Sequence, residues 1–173
     1  CKKELGFIDL FAHELLTTSP NLHQAAIPQA ATEPFVYYLA TVSGGAVEYF
    51  LIENRQWAGF DAGLPGEGLC IYHVDESMFN NNNPAHYKVA LIQADGQNAL
   101  AMSGSRGDYG DPFPGTSNNR NWHDRATPNS KFYDGSQTQF AAWNISNSDS
   151  IMYADIDTRW SRPWVLLTGP DSL

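Results

Sequence analysis

The stretch EYFLIENRQWAGFDAGLPGEGLCIYHVDE, Glu48 to Glu76, decides the fold. Its first block, Val47 to Ile52, is apolar and aromatic and suits a strand buried on both faces; Leu69 to Val74 reads the same way. Between them Gly59, Gly63, Pro65, Gly66 and Gly68 supply turn geometry that other residues adopt only at a cost. Outward from this pair the same signature recurs. Apolar or alternating stretches predict strands at Phe7–Phe11, Phe35–Val42, Val47–Glu53, Leu69–Asp75, Tyr87–Ala94, Gln139–Ile145 and Ile151–Ile156, with a candidate last strand at Trp164–Leu167. Helical periodicity is weak, and short helices are expected only at His23–Ala31 and around Asp75–Asn80. Successive strands without long intervening helices predict a mainly β chain, an antiparallel β-sandwich with long polar loops.

Two of those loops stand out. Asn80 to Pro84 (NNNNP) resists strand pairing, because Asn prefers turns and Pro removes a ladder donor. Gly104 to Ser130 is dense in Gly, Pro, Asn and Asp and far exceeds the usual connection of a few residues. A loop of that length in a compact domain needs a tether, and a bound ion is one candidate.

Composition narrows the class. At 173 residues the chain is one domain's worth, and 42% hydrophobic with 13% aromatic residues argues against disorder. A net charge of -9 with ten scattered Lys and Arg makes nucleic acid a poor partner, since phosphate binding relies on clustered cations. No apolar stretch approaches the roughly 18 residues of a membrane span. Two cysteines define no disulfide framework; Cys70 sits mid-strand and reads as a buried free thiol, with a Cys1–Cys70 bridge as the alternative.

The chemistry in the residues points to cations. Calcium takes six to eight oxygen ligands from carboxylates, amides and backbone, which irregular loops supply. Asp108 and Asp111 sit three apart beside Gly107 and Gly110, and Asp95 ends the strand leading toward that loop. Turn capping through Asx hydrogen bonds is the plainer role for the same acids. Glu53 and Asp75, with Glu76 beside the latter, form a weaker candidate group; an ion pair with Arg55 is its alternative. His73 shares a strand face with Asp75, while His86 and His123 lie in polar loops. Zinc usually needs three convergent ligands, and five scattered His do not supply them.

The Glu48–Glu76 run resembles the immune-inhibitor-A family of secreted bacterial zinc metallopeptidases, in which Y-F-L-I-E-N-R-Q is followed by G-F-D-x-x-L-P-G-x-G-L-x-I-x-H-V-D. Further pieces agree in order: Cys1 to Phe7 (CKKELGF) is similar to the family's C-K-x-x-L-G-W, Ala94 to Gly96 to its A-D-G, Gly107 to Gly115 (GDYGDPFPG) to its G-D-x-G-D-P-F-P-G, and Pro128 to Ser130 to its P-N-S. Family members hold zinc on an H-E-x-x-H helix, where two His bind metal and the Glu is general base. Here the nearest string is His13-Glu14-Leu15-Leu16-Thr17, with a hydroxyl where the second imidazole belongs.

The resemblance therefore implies the portion that follows the zinc helix: residues 1–158 as a β-rich part of the protease region, 159–173 as a tail or the start of a further segment. It implies secretion, a zinc-bearing catalytic portion of the same enzyme as partner, and protein or peptide as the substrate of the whole. Zinc belongs to that other portion, so this chain alone is expected to be inactive, with structural calcium as its own possible ion. Cys1 in place of an initiator Met fits a piece of a longer chain. The alternative is an independent calcium-dependent module for carbohydrate or protein, supported by Trp57, Trp122, Trp143, Trp160 and Trp164 as stacking surfaces.

Overall fold

A computed structural model of the chain describes residues 13–42, 46–102 and 104–160. Nine strands run in chain order among the described residues: β1 (Glu14–Leu16), β2 (Leu22–Pro28), β3 (Tyr37–Ala40), β4 (Glu48–Arg55), β5 (Gly68–Asp75), β6 (Val89–Ile92), β7 (Trp122–His123), β8 (Ala141–Trp143) and β9 (Ile151–Asp157). They form a five-stranded sheet in the order β1-β3-β4-β5-β6 and a four-stranded sheet in the order β2-β9-β8-β7. Only the β1–β3 pair is parallel. Two short 3-10 turns, Gly59–Gly63 and Ala99–Ala101, are the helical content of the described residues. The chain is mainly β and consistent with a sandwich.

The β4–β5 hairpin is the centre of the fold. Its ladder runs the full length of both strands, from Glu48 opposite Asp75 to Arg55 opposite Gly68. Alternate side chains go to opposite faces, and both faces are covered. Phe50, Ile52, Leu69 and Ile71 face the second sheet, where they join Ile27, Trp122, Phe140, Ala142, Met152, Ala154 and Ile156. Tyr49 and Val74 face the other way and pack with Val36, Tyr38, Ala40 and Ala46. That two-sided burial explains why the hairpin reads as continuous apolar blocks. Complete burial of Phe50 alone is worth about 2 kcal/mol of transfer free energy.

Asn54 is a polar residue that joins the sheets. Asn54 is fully buried, and its Nδ2 donates to the Ile27 carbonyl at 3.0 Å and the Asp149 carbonyl at 2.9 Å. Its backbone carbonyl accepts from Ala30 N–H at 2.8 Å. A buried amide placed across the seam ties a β2 carbonyl and a loop carbonyl to β4, at the point where β2 passes β4.

Two helix expectations are corrected. His23–Ala31 contains β2, with Ala25 and Ile27 buried and Ala26 exposed between them, so the segment has the period of a strand. Pairing with β9 overrides the helix propensity of its alanines, and Pro28 is tolerated at the strand's end. The Asp75–Asn80 region is a turn. Asp75 Oδ1 accepts from Ser77 N–H at 2.8 Å and Ser77 Oγ at 2.6 Å, a local bond that competes with helix formation. The strands expected at Phe7–Phe11 and Trp164–Leu167, and Cys1, lie outside the described residues. Cys70 is a buried free thiol, and burial first, then Glu53, pushes it up to about 12.

The long Gly104–Ser130 segment is tied down by the protein itself. Leu69 and Phe113 exchange backbone hydrogen bonds at 2.9 and 2.8 Å, and Asn119 Nδ2 donates to the Ala94 carbonyl at 2.8 Å. Asp124 is buried and accepts from Ser130 Oγ at 3.0 Å, Thr138 N–H at 3.1 Å and Gln139 N–H at 2.9 Å.

Candidate functional site

The segment that comes nearest to a zinc motif is not helical. Glu14 to Leu16 form β1, and the His13 ring packs on Phe35 at 4.2 Å. An extended segment does not bring residues 13 and 17 one turn apart on a common face, as the two His of an H-E-x-x-H helix are. Among the described residues, no three His, Cys, Asp or Glu side chains stand in position to hold a metal ion as they are.

The acids of the long loop do converge. Gly110 lies between two of them: a methyl group on its Cα would come within 2.6 Å of Asp95 Oδ2 and 2.9 Å of Asp108 Oδ1. The turn is drawn tight by backbone donors. Gly110 N–H donates to Asp108 Oδ1 at 2.7 Å, Asp108 N–H to Asp111 Oδ2 at 2.8 Å, and Gln97 N–H to Asp95 Oδ1 at 3.0 Å. Backbone bonds from Ala94 N–H to the Asp111 carbonyl and from Asp95 N–H to the Gly110 carbonyl hold the loop against the end of β6.

Asp111 is the exceptional member. It is 3% exposed, and its Oδ1 has no hydrogen-bond partner among the described residues. A buried carboxylate oxygen without a partner is costly. Burial raises its pKa above the ordinary carboxylate value; the bond from Asp108 N–H opposes this, and the charges of Asp108 and Asp95 add to the rise. Two carboxylates of the Asp108–Asp111 turn and Asp95 from the segment after β6, with oxygen donors only, suit a hard cation such as calcium in kind. The sequence singled out these three residues; the depth of Asp111 and the gap that Gly110 leaves between the other two needed the structure.

Glu53 and Asp75 are not brought together. They lie at opposite ends of the hairpin, since Glu53 faces Cys70 and Asp75 faces Glu48; that separation is about 17 Å along the strand, at about 3.3 Å per residue. Glu53 instead pairs with Arg55 Nε at 2.7 Å, and Arg55 Nη1 also reaches Asp61 Oδ2 at 2.7 Å.

At the Asp75 end the structure assembles a group that the sequence only hinted at. His73 and Asp75 share a face, but each takes a different partner. His73 Nε2 bonds Glu48 Oε1 at 2.7 Å, and His86 Nε2 bonds Asp75 Oδ2 at 2.7 Å. The Tyr133 ring stands between the imidazoles, 4.3 Å from His73 and 3.9 Å from His86, and the Tyr133 backbone N–H donates to Glu48 Oε1 at 2.7 Å. Burial, set against the Glu48 hydrogen bond, lowers the His73 pKa. Asp75 is also lowered: burial works the other way but is outweighed by the bonds from Ser77 and then His86. His86, Tyr133 and Glu48 carried no local signal, because the first two come from loops distant in sequence from β5.

Beside this group lies a cleft of about 620 Å³ along β6, walled by His73, Tyr87, Tyr133, Leu91 and Asn98. The tryptophans do not line one surface. Trp122 is wholly in the core with Nε1 donating to the Asn129 carbonyl, Trp143 bonds Asp157 Oδ2 at 3.2 Å, Trp160 stacks on His123 at 4.1 Å, and Trp57 packs edge-on to Tyr109. Trp164 lies outside the described residues. No protein-family model matches the chain, and no curated protein matches it.

Proposed function

We propose that this chain is the non-catalytic, β-rich portion of a secreted zinc endopeptidase, which supports the zinc-bearing portion and holds a structural calcium ion on the Asp95, Asp108 and Asp111 turn. The observation that carries this reading is the acidic turn: three converging carboxylates with a buried, unpartnered Asp111 oxygen. Calcium bound there would neutralise their mutual repulsion. The zinc-supporting role rests on the resemblance of the β4–β5 hairpin and of the GDYGDPFPG loop to the immune-inhibitor-A family.

An exposed aromatic cluster fits a supporting role. Trp57, Phe60, Leu64 and Tyr109 are all exposed around the β4–β5 turn, and Phe60 is completely so. Grouped apolar exposure of this kind marks contact surfaces in soluble proteins. The chain incubated with casein and excess zinc is expected to release no peptides, and the coding sequence upstream of Cys1 is expected to encode H-E-x-x-H. Zinc-dependent cleavage by the 173-residue chain itself, or an upstream sequence without that motif, contradicts the reading.

A further inference from the structure

We propose that β6 is a docking edge for an extended, uncharged polypeptide segment, which adds to the five-stranded sheet through the backbone of Leu91. β6 is the last strand of that sheet among the described residues. The register places Tyr72 opposite Leu91 and Val74 opposite Val89, and Asp75 N–H donates to the Lys88 carbonyl at 2.8 Å. In an antiparallel pair, bonded and non-bonded residue pairs alternate. The Asp75–Lys88 bond therefore makes His73–Ala90 bonded, and turns the N–H and C=O of Val89 and Leu91 away from β5.

Val89 shows what those outward groups accept. Asn81 donates from Nδ2 to the Val89 carbonyl at 2.7 Å and accepts Val89 N–H on Oδ1 at 2.9 Å. One side-chain amide thus occupies both positions that a neighbouring strand's peptide group would take. Two residues on, the outward N–H and C=O of Leu91 have no partner among the described residues. An edge left open is a template for a further strand.

The cleft is shaped for such a segment. Val89 to Gln93 form one wall, about 15 Å at roughly 3.3 Å per residue, enough for five residues in extended form. Tyr87, Tyr133, Leu100 and Asn98 line the cleft as well, and no Lys, Arg, Asp or Glu does. His73, the one other titratable side chain there beside the two tyrosines, is engaged by Glu48. An uncharged lining with an open backbone position favours a neutral peptide with apolar side chains over a charged ligand. The inference does not depend on the zinc-endopeptidase reading, and its test involves no zinc-bearing portion.

The test uses the 173-residue chain with a set of acetylated, amidated pentapeptides that alternate Val or Tyr with Ser or Thr, each paired with a copy N-methylated at its central residue. Hydrogen exchange at the Leu91 amide, read by nuclear magnetic resonance, is expected to slow at least about tenfold with a bound peptide. N-methylation is expected to weaken binding at least about tenfold, because it removes a backbone donor and leaves the side chains. Leu91→Pro deletes an N–H that the native ladder does not use and is expected to abolish binding with the sheet intact. Equal binding of the methylated peptides, unchanged Leu91 exchange at about 1 mM peptide, or a response to cello- or chito-oligosaccharides in place of peptides would each overturn the proposal.

Discussion

Two ionisable side chains have shifts of opposite sense, and they set opposite pH responses. Asp111 is raised, so in the cation-free protein its stabilising contribution is complete below the ordinary carboxylate range and is lost as pH rises through the raised value. At neutral pH it is a buried charge facing two others, a condition that a divalent cation relieves. His73 is lowered, so its contribution is complete above the ordinary histidine value of about 6.5 and is lost as pH falls through the lowered one. Asp75 has the same sense lower on the scale, losing its contribution as pH falls below the ordinary carboxylate range. Acidification from pH 7 to 5 should therefore lower the melting temperature, and His73→Gln should flatten that dependence by removing the titrating ring while keeping a donor for Glu48. A variant with the same slope as the parent would show that His73 does not control the acid response.

At the scale of elements, the β4–β5 hairpin and the loop that crosses its end depend on a single glycine. Gly68 has φ of +146°, and a side chain there would run into the Phe113 carbonyl, which is bonded to Leu69. Gly68→Ala should cost about 2–3 kcal/mol in denaturant unfolding, while Gly59→Ala, at φ +56° with open space around it, should cost about 1 kcal/mol. Equal costs would mean that the Leu69–Phe113 bridge does not fix the loop. The hairpin was legible in sequence because both of its faces are buried, which leaves continuous apolar blocks. β2 was not, because half of its residues face solvent and its period is broken by a bulge at Gln24, φ +48°. β7 is two residues long and exists through its partner, with no local pattern to find. The acidic turn was legible as composition. The pairing of Glu48 with His73 and of Asp75 with His86 was not, because it follows from register and loop return, and the same register separates Glu53 from Asp75.

The molecule as a whole combines a two-sided sheet, a four-stranded cover and a long loop clamped at Phe113, Asn119 and Asp124, with its converging acids gathered at the end of β6. Its described part has hydrophobic clusters on both faces of the main sheet. The acidic turn packs against the end of β6, so a calcium ion bound there would stabilise the native state by linkage, binding the folded chain and not the unfolded one. Thermal unfolding at pH 7 in millimolar calcium and in chelator measures this directly. The account predicts a melting temperature several degrees higher in calcium, by about 3 kcal/mol of linkage at a hundredfold excess over Kd, and no calcium response in Asp111→Asn, whose chelator-treated form should melt above the parent. Identical melting of the parent chain in calcium and in chelator would contradict it.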